Sequence, residues 1–373
     1  MLFRSDRGVE GFRLDVIDQI AKDPDRQITA NGPRLHEFLR ELSAETFQKG
    51  CLVTVGEAWG ADLERAKLYS APDGSELSMV FQFEQMLLDQ EPGKEKWDLR
   101  PLPFVEMKKS FARWQQGLHG CGFNSLFLNN HDLPRIVSRW GNDGTWRVQS
   151  AKLLATMLHG MEGMPYIYQG EELGLFEAAD IPWDQLEDPT AFHTVRAGAQ
   201  KGRDGCRVPL PWVADDCRDT GDGPYDHTGS FGFSPARKTP GAGVTADMED
   251  QSAEPPHLPQ PRWYAQYAVD AEENDPHSML NLYRAALRLR HRVMPNDTEL
   301  VWLDQDAASD VRDGADGNKG GVVAYRRSNG WAVLTNFGAE PVALPEGEVL
   351  LASGELTADG RLPQDTSVWM MLD

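Results

Sequence analysis

Three acidic residues stand just past apolar runs: Asp15 closes GFRLD, Glu57 closes CLVTVGE, and Asp132 follows FLNNH. A carboxylate in such a place is costly to bury without partners. Enzymes built on parallel strands assemble their sites from the carboxyl ends of several strands at once. One such acid reads as a solvated loop residue; three in the same structural position read as a site. Alternation along a strand puts Arg13 on the same side as Asp15, and a guanidinium there favours the ionised carboxylate that a nucleophile needs. Val53, Val55 and Glu57 share a face in the same way, which puts Glu57 at the mouth of an apolar environment, the setting of a general acid. Leu128, Asn130 and Asp132 form the third set, and the adjacent His131 can donate a hydrogen bond to a substrate hydroxyl. Two carboxyls in opposed settings are the arrangement of glycoside hydrolysis. The third is left to support an oxocarbenium-like transition state.

These acids need strands to carry them. Val9–Val16, Cys51–Glu57, Ser78–Phe83, Asn124–Asn130 and Pro165–Gln169 are short apolar runs that read as buried strands. Helical patterns lie between them. Residues 33–47 bring Leu35, Phe38, Leu39, Leu42 and Phe47 roughly onto one face, with Pro33 in the first turn, and residues 105–116 and 145–159 follow suit. Strands alternating with helices predict an α/β fold around a parallel sheet. Residues 213–262 break the pattern with DTGDGP, TPGAG and EPPHLPQP, so they read as a long loop near a site or as partly disordered. Ser278–Arg292 returns to helix. From about residue 296 the runs VVAYRR, WAVLTNF and VWMML, separated by turn residues, predict a small antiparallel β domain over 296–373.

Composition narrows the function. The 373 residues carry 37 Lys+Arg against 58 Asp+Glu, a net charge of −21, which repels nucleic acid and anionic membranes alike. No apolar run is long enough to span a bilayer, and Arg4, Asp6, Arg7 and Glu10 interrupt any signal-peptide core. Cys51, Cys121, Cys206 and Cys217 form neither a C-x-x-C pair nor a zinc spacing, so they read as small core hydrophobes in a reduced, cytoplasmic setting. DTGDG at 219–223 lacks the rest of a calcium loop, and no metal or cofactor is expected. The expectation is an enzyme acting on a neutral molecule.

The acidic segments resemble those of glycoside hydrolase family 13, the α-amylase family, on its α-glucosidase and oligo-1,6-glucosidase branch. GFRLDV resembles the nucleophile segment, which implies that role for Asp15 with Arg13 as its partner. VGEAW resembles the acid/base segment and assigns that role to Glu57. NNHD resembles the segment of the transition-state stabiliser, here Asp132, with His131 contacting the sugar. GMPYIYQGEELG (163–174) is similar to the final barrel strand and its loop. GRDGCRVPLPW (202–212) is similar to a loop whose arginine reaches the bound glucose, giving Arg203 with Arg207 as the alternative. The resemblance implies a (β/α)₈ TIM barrel followed by a C-terminal antiparallel β domain. On that scheme the chain begins near the fourth strand, so residues 1–295 are read as a partial barrel of about strands 4–8. The first three βα units, their loop domain and the family's Asn-His segment have no counterpart here. The implied reaction is a retaining double displacement on a small oligosaccharide. Val16, directly after Asp15, resembles the α-1,6-acting members, whereas Thr or Ala there resembles the α-1,4-acting ones. Trp59, Phe83 and Tyr168 face either the sugar or the core. Hydrolase, transglycosylase or sucrose isomerase, and a non-catalytic remnant all stay open at this stage.

Overall fold

The computed structural model describes residues 2–50, 52–193, 202–214, 224–226, 230–234, 256–294, 299–303 and 321–373. β1 (Gly11–Leu14), β2 (Val53–Glu57) and β3 (Met79–Phe81) form a parallel sheet in chain order. β4 (Ser125–Leu126) and β5 (Met164–Pro165) form a parallel pair, and a parallel bridge from Val80 to Asn124 brings β3 alongside β4. Five consecutive strands therefore lie side by side in one direction. Helices α1 (Leu35–Leu42), α2 (Leu63–Tyr69), α3 (Phe104–Leu118), α4 (Ile136–Trp140) and α5 (Arg147–His159) fill the connections, as parallel neighbours require.

The strands are shorter than their apolar runs, and past the fourth strand two asparagine side chains take over from the ladder. The expected strand Asn124–Asn130 is reduced to Ser125–Leu126, and Pro165–Gln169 becomes Met164–Pro165. Asn129 accepts the Ile136 amide at 2.8 Å, and Asn130 accepts the Asp132 amide at 2.9 Å. These local bonds replace the ladder and turn the chain outward. Val9–Val16 likewise shortens to Gly11–Leu14, because Val16 sits in the left-handed region at φ 40°. The helix expected over 33–47 ends as α-helix at Leu42 and continues as a π-helical turn over Ser43–Phe47, where the Thr46 hydroxyl donates to the Leu42 carbonyl at 2.5 Å.

The C-terminal region is an antiparallel sheet, as its turn-separated runs predict. β6 (Leu300–Trp302), β7 (Val322–Arg327), β8 (Trp331–Asn336), β9 (Gly347–Ala352) and β10 (Thr366–Leu372) take the order β9-β10-β8-β7-β6. Alternate residues split between two cores. Ala324, Ala332, Leu334, Val368 and Met370 pack on one face with Leu362. Tyr325, Trp331, Val333 and Trp369 pack on the other with α5, with α6 (Met279–Val293), and with Leu126 and Leu128 of the parallel layer. Trp369 donates its indole N–H to the Thr156 carbonyl at 2.8 Å, and the Tyr325 hydroxyl donates to the Met157 carbonyl at 2.5 Å. One face of the sheet thus has a core of its own, and the other shares its core with the helices and the fourth strand of the parallel layer. The expected boundary near residue 296 falls among residues outside the described ones, as do Cys51, Cys217, DTGDG and most of 213–262. Cys121 and Cys206 are free thiols. Among the described residues no helix is long and apolar enough to cross a membrane, and no three metal-ligating side chains come together.

Because Trp369 packs in the cluster that joins the C-terminal sheet to α5, α6 and the fourth parallel strand, Trp369→Ala is expected to lower unfolding stability by ~3–5 kcal/mol. In urea titrations, far-ultraviolet dichroism and tryptophan fluorescence should move together. A separate early transition of the C-terminal sheet, with the remainder unmoved, would contradict the shared core.

Candidate active site

Strand register sets the first pair of acids. Leu14 lies opposite Gly56 across β1 and β2, so Asp15 and Glu57 emerge as neighbours. Gly56 is required there because a Cβ would press on Leu77 and Ile17. Arg13 spans the pair, donating Nη1 to Asp15 Oδ1 at 2.5 Å and Nη2 to Glu57 Oε2 at 2.5 Å. Glu57 also accepts the Trp59 indole N–H at 2.7 Å and the Val16 amide at 3.3 Å. The setting expected for Glu57 is met in part: Val55 is buried and aromatic side chains stand nearby, but Val53 is exposed and donors also reach the buried carboxyl. Asp15 is open to solvent, its side chain 72% exposed. Hydrogen bonding to Glu57, and then to Arg13, holds the Asp15 carboxyl below its usual range.

Asp132 faces a different set of partners. Its Oδ1 accepts Arg203 Nη1 at 2.9 Å and Arg207 Nη2 at 3.3 Å, and His131 Nε2 lies 3.4 Å from Oδ2. Arg207 also donates Nε to the His131 carbonyl at 2.8 Å. The two arginines are alternatives by sequence; the structure brings both to the same oxygen. Burial opposes the charge on Asp132, but the Arg203 hydrogen bond, with help from His131 and Lys96, leaves its carboxyl below the usual range. Arg203 is itself gripped by buried Asp188 through Nε and Nη2, each at 2.9 Å, a bidentate geometry that fixes the guanidinium plane.

A cavity of about 250 Å³ lies between Arg13 and Glu57 on one side and His131 and Asp132 on the other. Phe81, Phe83, Phe127, Tyr166 and Tyr168 wall it. Charged groups converging across aromatic walls suit a ligand with both hydroxyls and apolar C–H faces. Of the three aromatics singled out from sequence, Phe83 and Tyr168 line the cavity, while Trp59 stacks behind Phe83 with ring centroids 3.8 Å apart. Lys96 was missed. Its Nζ stands 4.8 Å from the Trp97 ring and 5.5 Å from the Trp59 ring, and burial lowers its pKa although nearby Asp132 pulls the other way. The segment EPGKEKWDLRP has no apolar periodicity to flag it; only the Lys-Trp adjacency was available as a signal.

Residues 1–221 match the family model described as the alpha amylase catalytic domain. The chain belongs to the alpha-amylase family. A second model, described as a domain of unknown function, matches residues 312–369. An oligo-1,6-glucosidase of Parageobacillus thermoglucosidasius is 37% identical over 341 residues, which is 82% of this chain and 54% of that protein. A glucan 1,6-alpha-glucosidase of Streptococcus pneumoniae is 47% identical over 228 residues, 57% of this chain and 43% of that one. The chain thus spans about half the length of the curated relatives it matches. Among solved structures, a trehalose-6-phosphate hydrolase of Bacillus licheniformis superposes with a TM-score of 0.79 at 28% identity, covering 100% of this chain and 67% of that one. The matched residues of the alpha-amylase family model include all three acids, Arg13, Arg203 and Arg207; Glu57, Asp132 and Arg13 line the cavity, whereas Asp15 stands beside it on Arg13.

Behind Asp132, Glu177 accepts the Arg135 amide at 2.9 Å, and burial pushes its carboxyl up to about 7 despite Arg135 and Arg139. An unfolded glutamate titrates near 4.3. Between those values the unfolded chain gives up a proton that the folded chain keeps, so native stability falls as pH rises through the window. Glu177→Gln keeps the acceptor and removes the titration. The stability difference should shift toward the variant by up to ~3 kcal/mol between pH 4.5 and 7.5. A difference that stays constant across urea titrations at both pH values would contradict the buried acid.

Proposed function

We propose that this chain carries the catalytic centre of a retaining α-glucosidase that removes terminal α-linked glucose from short oligosaccharides, isomaltose-type α-1,6 linkages ahead of maltose-type. The five parallel strands read as a continuous portion of a (β/α)₈ barrel. What carries the functional reading is the single guanidinium of Arg13 on both Asp15 and Glu57, facing Asp132 across one small cavity. In the first step Asp15 attacks the anomeric carbon as the glycosidic C–O bond breaks, and Glu57 gives its proton to the departing oxygen. In the second step Glu57 takes a proton from water, and that water displaces Asp15 from the same carbon, so the α configuration is kept. Asp132, set by Arg203 and Arg207, holds negative charge near the oxocarbenium-like transition state. His131 and Arg203 contact the sugar.

The α-1,6 preference draws support from relatives named oligo-1,6-glucosidase and glucan 1,6-alpha-glucosidase. It also rests on Val16, whose left-handed backbone is one that a β-branched residue enters only under constraint. The two free thiols fit a reduced, cytoplasmic setting.

The purified chain is expected to release 4-nitrophenol from its α-glucoside, and Asp15→Asn should lower kcat by at least ~10⁴-fold. Proton NMR should show α-glucose as the first product. Glu57→Gln should impair isomaltose far more than the aryl glucoside, whose leaving group departs without protonation. Appearance of β-glucose first, or activity indifferent to Asp15, would contradict this function. Val16→Thr should lower the isomaltose-to-maltose ratio of kcat/KM by up to ~10-fold; an unchanged ratio would remove Val16 from the account of linkage.

A further inference from the structure

Arg135 follows Asp132 by three residues at the start of α4, yet its side chain turns inward and the residue is 1% exposed. Its Nη2 donates to the Cys206 carbonyl at 3.1 Å and its Nη1 to the Gln169 carbonyl at 3.1 Å. The Tyr168 hydroxyl donates to the same Cys206 carbonyl at 3.0 Å, and the Arg135 guanidinium lies 5.3 Å from the Tyr168 ring centroid. Cys206 sits between Arg203 and Arg207 in the chain, and its thiol donates to the Arg203 carbonyl at 3.1 Å. A closed circuit results: Asp132, along the chain to Arg135, across to Cys206, along the chain to either arginine, and back to Asp132 Oδ1. Glycines permit the close approach. A Cβ on Gly205 would collide with Glu177, and Gly170, at φ +87°, lies where a Cβ would crowd Leu175 and Arg135.

A buried guanidinium that hydrogen-bonds two neutral carbonyls, has no hydrogen-bond partner on Nε and meets carboxylates such as Glu177 only without a direct ion pair is a poor choice for stability alone. Apolar filler of similar volume commonly serves a core as well or better. What the guanidinium supplies is a rigid planar fork that sets two carbonyls at a fixed spacing, whereas the rotatable donors of an ammonium on its flexible stem hold them less firmly. We propose that Arg135 is a positioning residue: it anchors the Cys206 carbonyl and thereby sets Arg203 and Arg207 against Asp132. Its kinetic consequence rests on reading Asp132 as the transition-state stabiliser; the mechanical link does not.

The test combines hydrogen exchange with kinetics on the full chain, comparing Arg135→Lys and Tyr168→Phe with the parent. Peptides spanning 202–208 should exchange at least ~10-fold faster in Arg135→Lys, with β8 and β10 unchanged. For 4-nitrophenyl α-glucoside, kcat should fall ~10–100-fold and KM should rise by a smaller factor, because the misplaced arginines act mainly on charge that develops in the transition state while Arg203 also touches the bound sugar. Tyr168→Phe should move the same peptides by a smaller amount, and it decides the matter if Arg135→Lys does not fold. Unchanged exchange at 202–208, or acceleration spread evenly over the chain, would overturn the positioning role. Failure of the parent to hydrolyse the glucoside would instead overturn the functional reading, while exchange at 202–208 still decides the link.

Discussion

Two carboxyls brought together at the ends of neighbouring strands repel when both are ionised, by about 4 kcal/mol at 4 Å in a surface-like dielectric. The Arg13 guanidinium between Asp15 and Glu57 is what makes that closeness tenable. The arrangement depends on parallel register, since Leu14 must lie opposite Gly56 for both acids to emerge at one level. Slipping the register by one residue would send one of them to the other face. Helices in the crossovers cover the strands that carry the pair, and the C-terminal sheet packs through Trp369 and Tyr325 against α5 and the fourth strand.

The opposite wall is built on a different principle. Asp15 and Glu57 are held by one cation from their own sheet, whereas Asp132 is held by two arginines from a segment 71 and 75 residues further along. Charges borrowed over that distance need anchors of their own. Asp188 fixes Arg203 from one side, and the Cys206 carbonyl, gripped by Arg135 and Tyr168, fixes the backbone from the other. The two walls thus combine a strand-borne pair with an anchored loop-borne clamp. That division suits chemistry in which one side forms a bond and the other responds to changing charge.

Much of this was legible from residue types. The three acids, Arg13, His131 and the arginine loop were visible because each lies beside an apolar run or in a segment of familiar pattern, and the helices followed from 3.6-residue spacing. The strand ends were not legible: Asn129 and Asn130 replace ladder bonds with side-chain bonds that an apolar run such as NSLFLNN does not announce. The donors around Glu57 were not legible, because alternation says which face a residue shares, not which side chains arrive there, as Trp59 and Arg13 do. Arg135 stayed hidden because its partners are backbone carbonyls, which leave no trace in residue identity. The shared core was hidden too, since the turn-rich texture after residue 296 marks a change of sheet without marking a break in packing.

The central claim is that Asp15 is the group that bonds to the sugar, with Glu57 as its acid/base partner. It is tested most directly by incubating the chain with a mechanism-based fluoroglucosyl fluoride and mapping the adduct by mass spectrometry. The account predicts one glucosyl-derived mass on the peptide containing Asp15, and none in Asp15→Asn. An adduct on Glu57, on Asp132 or on any other residue would contradict it, as would turnover of the parent substrate with no covalent adduct and inversion at the anomeric carbon.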